Sequence, residues 1–176
     1  QDNLLWAWTE VGKLTCEISG LQTLLLHGNR MQQITAPVLA NCPTGSFMNL
    51  RTLALNACNI HAWAEVQTME PYLKNIEELY LSANSLTDLY REEDAKKADE
   101  AAGVIFTSAA TAAAAAASVV AENTWQNLRI LDISGCGLEE WSQVAYFRGL
   151  PALQELLLDG NPVPRVKPQG QEGQGG

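Results

Sequence analysis

The sequence predicts an α/β solenoid: a parallel sheet of short strands backed by short helices. Three observations predict it. The pattern L-x-x-L-x-L-x-x-N/C-x-L returns five times along the 176 residues. Its copies follow one another at near-constant steps. Between copies, apolar residues recur every three or four positions, the spacing of one helix face.

The complete copies start at Leu21, Leu50, Ile76, Leu128 and Leu153, and their ninth positions are Asn29, Cys58, Asn84, Cys136 and Asn161. Asn3-x-Leu5 reads as the tail of a sixth. Successive ninth positions, from residue 3 to residue 161, are 26, 29, 26, 52 and 25 residues apart, so one interval holds an insertion. This is the leucine-rich-repeat pattern. It implies a leucine-rich-repeat solenoid over residues 1–166, with a parallel concave sheet, short convex helices and about five to six repeats. In each copy the middle L-x-L is a strand whose leucines point inward and whose alternate residues point outward. The ninth side chain sits in a buried row and satisfies backbone groups that the turn leaves open.

Taken in order, residues 6–20 read as a convex helix. Trp8, Val11, Leu14 and Ile18 form its inner face, and Gly20 ends it. Strand one is Thr23 to His27. The outer segment from Ile34 to Ala40 contains Pro37 and closes on the turn signal Asn41-Cys42-Pro43-Thr44-Gly45. Strand two is Thr52 to Asn56. Trp63, Val66, Met69 and Leu73 mark the next helix, which Pro71 limits. Strand three is Glu78 to Ser82. Residues of about 91–122 lack the repeat pattern. They open on a charged run and contain an alanine tract, and they read as a low-complexity, Ala-rich insertion. Strand four is Ile130 to Ser134, followed by Trp141, Val144, Phe147 and Leu150 before Pro151. Strand five is Glu155 to Asp159. Residues 167–176, rich in Gly and Gln, read as a disordered tail. Neither end resembles a solenoid cap, so the chain reads as a piece of a longer protein.

The net charge of −9 argues against nucleic acid or an anionic membrane as partner. Four cysteines occur without a C-x-x-C or Cys/His cluster, so no metal is expected, and free thiols suit the cytoplasm. The two histidines, His27 and His61, lie near no recognisable nucleophile, and no phosphate-binding loop is present. No enzyme activity and no cofactor are expected. The partner-binding residues are read instead on the concave face: Leu25, His27, Asn56, Glu78, Tyr80, Ile130, Asp132, Glu155, Leu157 and Asp159. Leu25, Tyr80, Ile130 and Leu157 are taken as one apolar band at position five, with the four carboxylates beside it. Trp8, Trp63 and Trp141 open three W-x-E/Q-V elements, each five residues past a ninth position, and are read as core.

Several blocks carry a family resemblance. They are Asn3-Leu4-Leu5 leading to Trp8-x-Glu10-Val11, then Trp63-Ala64-Glu65-Val66, then Ile76-Glu77-Glu78-Leu79-Tyr80-Leu81-x-x-Asn84. Asn127-Leu128, Trp141, Leu150-Pro151-x-Leu153 and Gly160-Asn161-Pro162 continue them. Together they resemble the leucine-rich-repeat domain of the tubulin-folding cofactor E (tubulin-specific chaperone E) family. The family's CAP-Gly and ubiquitin-like domains have no counterpart in these residues. The resemblance implies a non-enzymatic, cytoplasmic, cytoskeleton-associated module. Such a module binds α-tubulin, with other tubulin cofactors, in post-chaperonin folding and in heterodimer assembly or dissociation. A monomer is expected. Another cytosolic or axonemal repeat scaffold, or a regulatory subunit docking on an enzyme, stays open as an alternative.

Overall fold

The inward leucines decide the architecture. The computed structural model describes residues 5–86 and 124–164. In the three central repeats, Leu53, Leu55, Leu79, Leu81, Leu131 and Ile133 are fully removed from solvent. Each such burial contributes about 1.5–3 kcal/mol. Every strand therefore turns the same face inward. The strands are β1 (Thr23–Leu25), β2 (Thr52–Ala54), β3 (Glu78–Tyr80), β4 (Ile130–Asp132) and β5 (Glu155–Leu157). They form one parallel sheet in chain order, with Leu24, Leu53, Leu79, Leu131 and Leu156 in a single row. This is the solenoid that the repeat pattern predicts.

The strands are three residues long, not five. Backbone pairing continues past them: Leu26 N–H donates to Ala54 O and Gly28 N–H to Asn56 O, at 2.8 and 2.9 Å. The extended conformation stops because position eight is left-handed in all five repeats. Gly28, Ala57, Ala83, Gly135 and Gly160 have φ of 68°, 53°, 56°, 62° and 71°. Glycine adopts this conformation freely, and the two alanines pay a steric penalty for it.

Between strands run α1 (Trp8–Glu17), α2 (Ala36–Ala40), α3 (Trp63–Met69) and α4 (Trp141–Ala145). Pro37 sits in the first turn of α2, where its missing N–H costs nothing. Pro71 falls in the 3₁₀ turn Glu70–Tyr72 that ends α3. The inner face of α3 is as expected, with Trp63, Val66, Met69 and Leu73 all buried. That of α1 is not. Leu14 and Ile18 are 39% and 47% exposed, while Gly12 and Thr15 are buried beside Trp8 and Val11. The cause is the turn after α2, which packs directly on the helix. Thr15 Oγ1 accepts the Phe47 N–H at 3.0 Å. A β-carbon on Gly12 would come within 2.8 Å of Ser46 Oγ and 3.1 Å of Cys42 Cβ. The helix also stops at Glu17, short of Gly20.

The core reading of Trp141 is likewise corrected. Trp8 and Trp63 are buried, but Trp141 is 44% exposed. Trp8 donates its indole N–H to Gln32 O at 2.9 Å, and Trp141 makes the matching bond to Pro164 O at 2.7 Å. The ring of Trp8 also lies in the core cluster with the following outer segment, which begins at Ile34. No such segment covers Trp141 among the described residues.

From Cys58 onward the ninth-position ladder closes as expected. Asn84 Oδ1 accepts the N–H groups of Cys58 and Ile60, and its Nδ2 donates to Leu55 O and Leu81 O. Asn161 does the same for Cys136, Leu138, Ile133 and Leu158. Cys58 and Cys136 substitute a thiol donor, reaching Leu26 O at 3.0 Å and Leu81 O at 3.2 Å. A second asparagine row precedes the template. Asn49, Asn75 and Asn127 each donate at 2.8 Å to a carbonyl one repeat back, on Ser19, Met48 and Lys74.

β3 and β4 pair directly, Leu79 beside Leu131, although their repeats are 52 residues apart. The sheet thus passes over the long interval without a change of register. The insertion read at 91–122, the tail read at 167–176 and Asn3 lie outside the described residues.

Candidate functional site

Alternation in the strands leaves one face of the sheet outward. Its rows follow from the parallel register. Position three runs Thr23, Thr52, Glu78, Ile130, Glu155, and position five runs Leu25, Ala54, Tyr80, Asp132, Leu157. Ile130 therefore does not belong to the row of Leu25, Tyr80 and Leu157. It stands between Glu78 and Glu155, and Asp132 takes the expected place in the band. Ile130 precedes the band position of its strand by two residues, which keeps it on the same face but in the next row.

The corrected face has two halves. Leu25, Ala54 and Tyr80 form a short apolar run across β1–β3. Leu25 is 53% exposed, while the small Ala54 between two larger neighbours is buried. Across β3–β5, acids and apolar groups alternate like the squares of a board: Glu78, Ile130, Glu155 in one row, and Tyr80, Asp132, Leu157 in the next. His27, Asn56 and Asp159 lie two residues past the ends of β1, β2 and β5. Asn56 is partly spent on the fold, because its Oδ1 accepts the Ser82 N–H at 3.1 Å.

Two of the carboxylates are held in place by neutral donors. Glu78 Oε2 accepts Thr52 Oγ1–H at 3.1 Å and Tyr80 O–H at 3.3 Å. Asp132 Oδ1 accepts the Ser134 N–H at 3.0 Å. Among the described residues no ion pair reaches Glu78, Asp132, Glu155 or Asp159; the pairs join Lys13 to Glu10, Arg51 to Glu77 and Lys74 to Glu70. The Tyr80 hydroxyl registers this field. Burial first, then the charge and hydrogen bond of Glu78, then Glu155 and Asp132, raise its pKa above the usual tyrosine value. At neutral pH it is a phenol, able to donate.

A polar row that the sequence reading missed borders this face at position two. Arg51 pairs with Glu77, and Arg129 reaches Gln154 Oε1 through Nε and a terminal nitrogen, at 3.3 and 3.1 Å. Opposite charges one repeat apart were the available signal. Surface hollows lie at the two ends of the strands. One is lined by Glu77, Arg129 and Gln154, another by Arg30, Asn59 and Ser85. No group of His, Cys, Asp and Glu spaced to hold a metal occurs among the described residues. No helix among them is long and apolar enough to cross a membrane.

A sheet of identical inward leucines, a ninth-position ladder and an outward face that varies from strand to strand define a leucine-rich-repeat protein. The Leucine Rich Repeat family model matches residues 127–150. The chain is similar to tubulin-specific chaperone E of Danio rerio, 31% identical over 92% of this chain and 30% of the relative. It is also similar to tubulin-folding cofactor E of Arabidopsis thaliana, 26% identical over 93% of this chain and 25% of the relative. A tubulin-specific chaperone cofactor E-like protein of Rattus norvegicus is 28% identical over 92% of this chain and 43% of its own length. The family resemblance read from the sequence is thus borne out. The chain spans less than half the length of these relatives.

Proposed function

We propose that this chain is the non-enzymatic protein-binding module of a tubulin-folding cofactor. The outward sheet face holds α-tubulin during folding and during assembly or dissociation of the heterodimer. The module acts as a monomer in the cytoplasm, at the cytoskeleton, together with other tubulin cofactors. The observation that supports this best is the likeness to tubulin-specific chaperone E along nearly the whole chain. A second is the open face itself, where large side chains such as Leu25 and Tyr80 point away from the core. Tyrosine in such a setting is a frequent hot spot, and its truncation costs a complex about 1–2 kcal/mol or more.

The test is a pull-down of purified tubulin by the immobilised chain, with Tyr80→Ala and Leu157→Asp as variants. Thermal melts establish that both variants fold. Wild type should retain tubulin, and each variant should retain about tenfold less, as that loss of binding energy requires. No capture by wild type, or full capture by both variants, refutes the reading.

A further inference from the structure

The board of acids and apolar groups on β3–β5 selects among partners, because it is both charged and greasy. We propose that this half of the outward face takes a segment of a partner protein in which arginine or lysine alternates with apolar side chains. This inference rests on the reading of the outward face as the binding surface, but not on tubulin as the partner.

Three features of the face lead there. First, its charge is of one sign: Glu78, Asp132, Glu155 and Asp159 are its charged groups across β3–β5, with no cation paired to them among the described residues, and Arg129 on the bordering row turns to the neutral Gln154. An approaching acidic segment is repelled and a basic one is steered in. Second, two of the carboxylates, Glu78 and Asp132, are oriented before any partner arrives. Thr52 and Tyr80 fix Glu78 through hydroxyls, and the Ser134 N–H fixes Asp132, at 3.0–3.3 Å. Neutral donors hold the charge without cancelling it, so a cation meets anions already in position. Third, apolar groups occupy the alternate squares. Ile130 lies between Glu78 and Glu155, and Asp132 between Tyr80 and Leu157, with strands about 4.8 Å apart. A guanidinium that pairs with Asp132 is therefore within reach of the Tyr80 ring, where a cation–π contact adds to the ion pair. The β1–β2 half of the face holds Thr23, Thr52, Leu25 and Ala54 and supplies no such charge.

The probe is a synthetic nonapeptide in which arginine and leucine alternate among serines, with a twin carrying glutamate for arginine. Calorimetry measures both against four proteins. They are the wild-type chain, Tyr80→Ala, the triple variant Glu78→Gln/Asp132→Asn/Glu155→Gln, and a control triple Glu10→Gln/Glu17→Gln/Glu139→Gln. The two triples change net charge equally, and the amides can keep the neutral hydrogen bonds. Wild type and control should bind the arginine peptide alike and more weakly as salt rises. The face triple and Tyr80→Ala should lose at least tenfold, and the glutamate peptide should bind none of the proteins. Equal binding by the two triples would reduce the effect to net charge and overturn the proposal, as would absence of binding to wild type or indifference between the peptides. A chain that holds the arginine peptide through this face yet ignores tubulin keeps this inference and defeats the tubulin reading. A chain that captures tubulin, and loses it with Tyr80→Ala and Leu157→Asp, yet binds no arginine peptide does the reverse.

Discussion

Cys136 offers a sharp test of the ladder, because two substitutions of nearly equal size should have opposite results. The thiol is fully buried and donates to Leu81 O at 3.2 Å, with Ser134 O at 3.7 Å. Burial pushes its pKa up to about 11, while the N–H groups of Asn84 and Leu86 pull the other way. The site thus offers two carbonyls that need a donor and two N–H groups that need an acceptor. Cys136→Asn supplies both, as Asn84 and Asn161 do in their own repeats, and should leave stability within about 1 kcal/mol of wild type. Cys136→Asp supplies acceptors only. One oxygen of its charged form can accept those N–H groups, but the other faces two carbonyls in a dry site, and a buried charge so poorly matched costs about 3–5 kcal/mol. At about 2–4 °C per kcal/mol for a domain of this size, the melting point should fall by about 6–20 °C. The loss should depend on pH. Protonated, the new carboxyl can donate to Leu81 O, so its folded pKa rises above the unfolded value of about 3.9. Stability is then retained below that pH and lost as pH rises toward neutrality. Melts of both variants at pH 4 and pH 7.5 decide the matter. Equal losses for Asn and Asp, or a Cys136→Asp deficit that ignores pH, would refute the ladder assignment.

Other positions give further tests. Ala83→Gly should raise stability by about 0.5–1 kcal/mol and Gly135→Ala lower it by about 1 kcal/mol, measured by urea unfolding, since φ is 56° and 62° there. Gly12→Val should cost about 1–3 kcal/mol in the same assay, because Ser46 and Cys42 leave no room for a larger side chain. In the native protein Cys58 and Cys136 should resist iodoacetamide at pH 8, since both are buried with raised pKa values, and unfolding should expose them. Replacing residues 92–121 by a short Gly/Ser linker should leave a cooperative melt near that of wild type. β3 already pairs with β4 in register, and loop length changes closure entropy only slowly, about 0.6 kcal/mol per doubling.

Inward positions were legible in the sequence because one force sets them. Burial of a leucine at a fixed place in every repeat produces a period, and a period is visible without a structure. The row of Leu24, Leu53, Leu79, Leu131 and Leu156 and the Asn/Cys ladder both follow from it. What escaped depends on contacts between segments that share no period. Leu14 and Ile18 have helical spacing, yet the turn at Ser46 and Phe47 selects Gly12 and Thr15 for the inner face of α1. Trp141 has the same local pattern as Trp8 but lacks the covering neighbour. The second asparagine row was visible as Asn-Leu or Asn-Ile at three repeat starts, but the template begins one residue later. The left-handed turns were visible too, as small residues at every eighth position.

The motifs that carry the family resemblance can be weighed against what their residues do in the fold. Glu65 of Trp63-Ala64-Glu65-Val66 is buried, and its two oxygens accept the Ile34 and His61 N–H groups at 3.2 Å, tying one repeat to the next. Gln143 Oε1 accepts the Glu139 and Glu140 N–H groups at the start of α4, a bond within its own repeat. Trp8, Trp63 and Asn84 are buried in the frame. The residues that carry the resemblance are thus mostly those that hold the solenoid together. The outward rows answer to a different constraint. Nothing in the core requires a leucine at residue 25, an aspartate at 132 or a leucine at 157, although the three share one row. The resemblance therefore speaks mainly for the frame, and under the proposed function the choice of partner rests on outward side chains that the frame leaves free to change. Substitutions confined to rows three and five, on a chain whose melt is unaltered, separate the two.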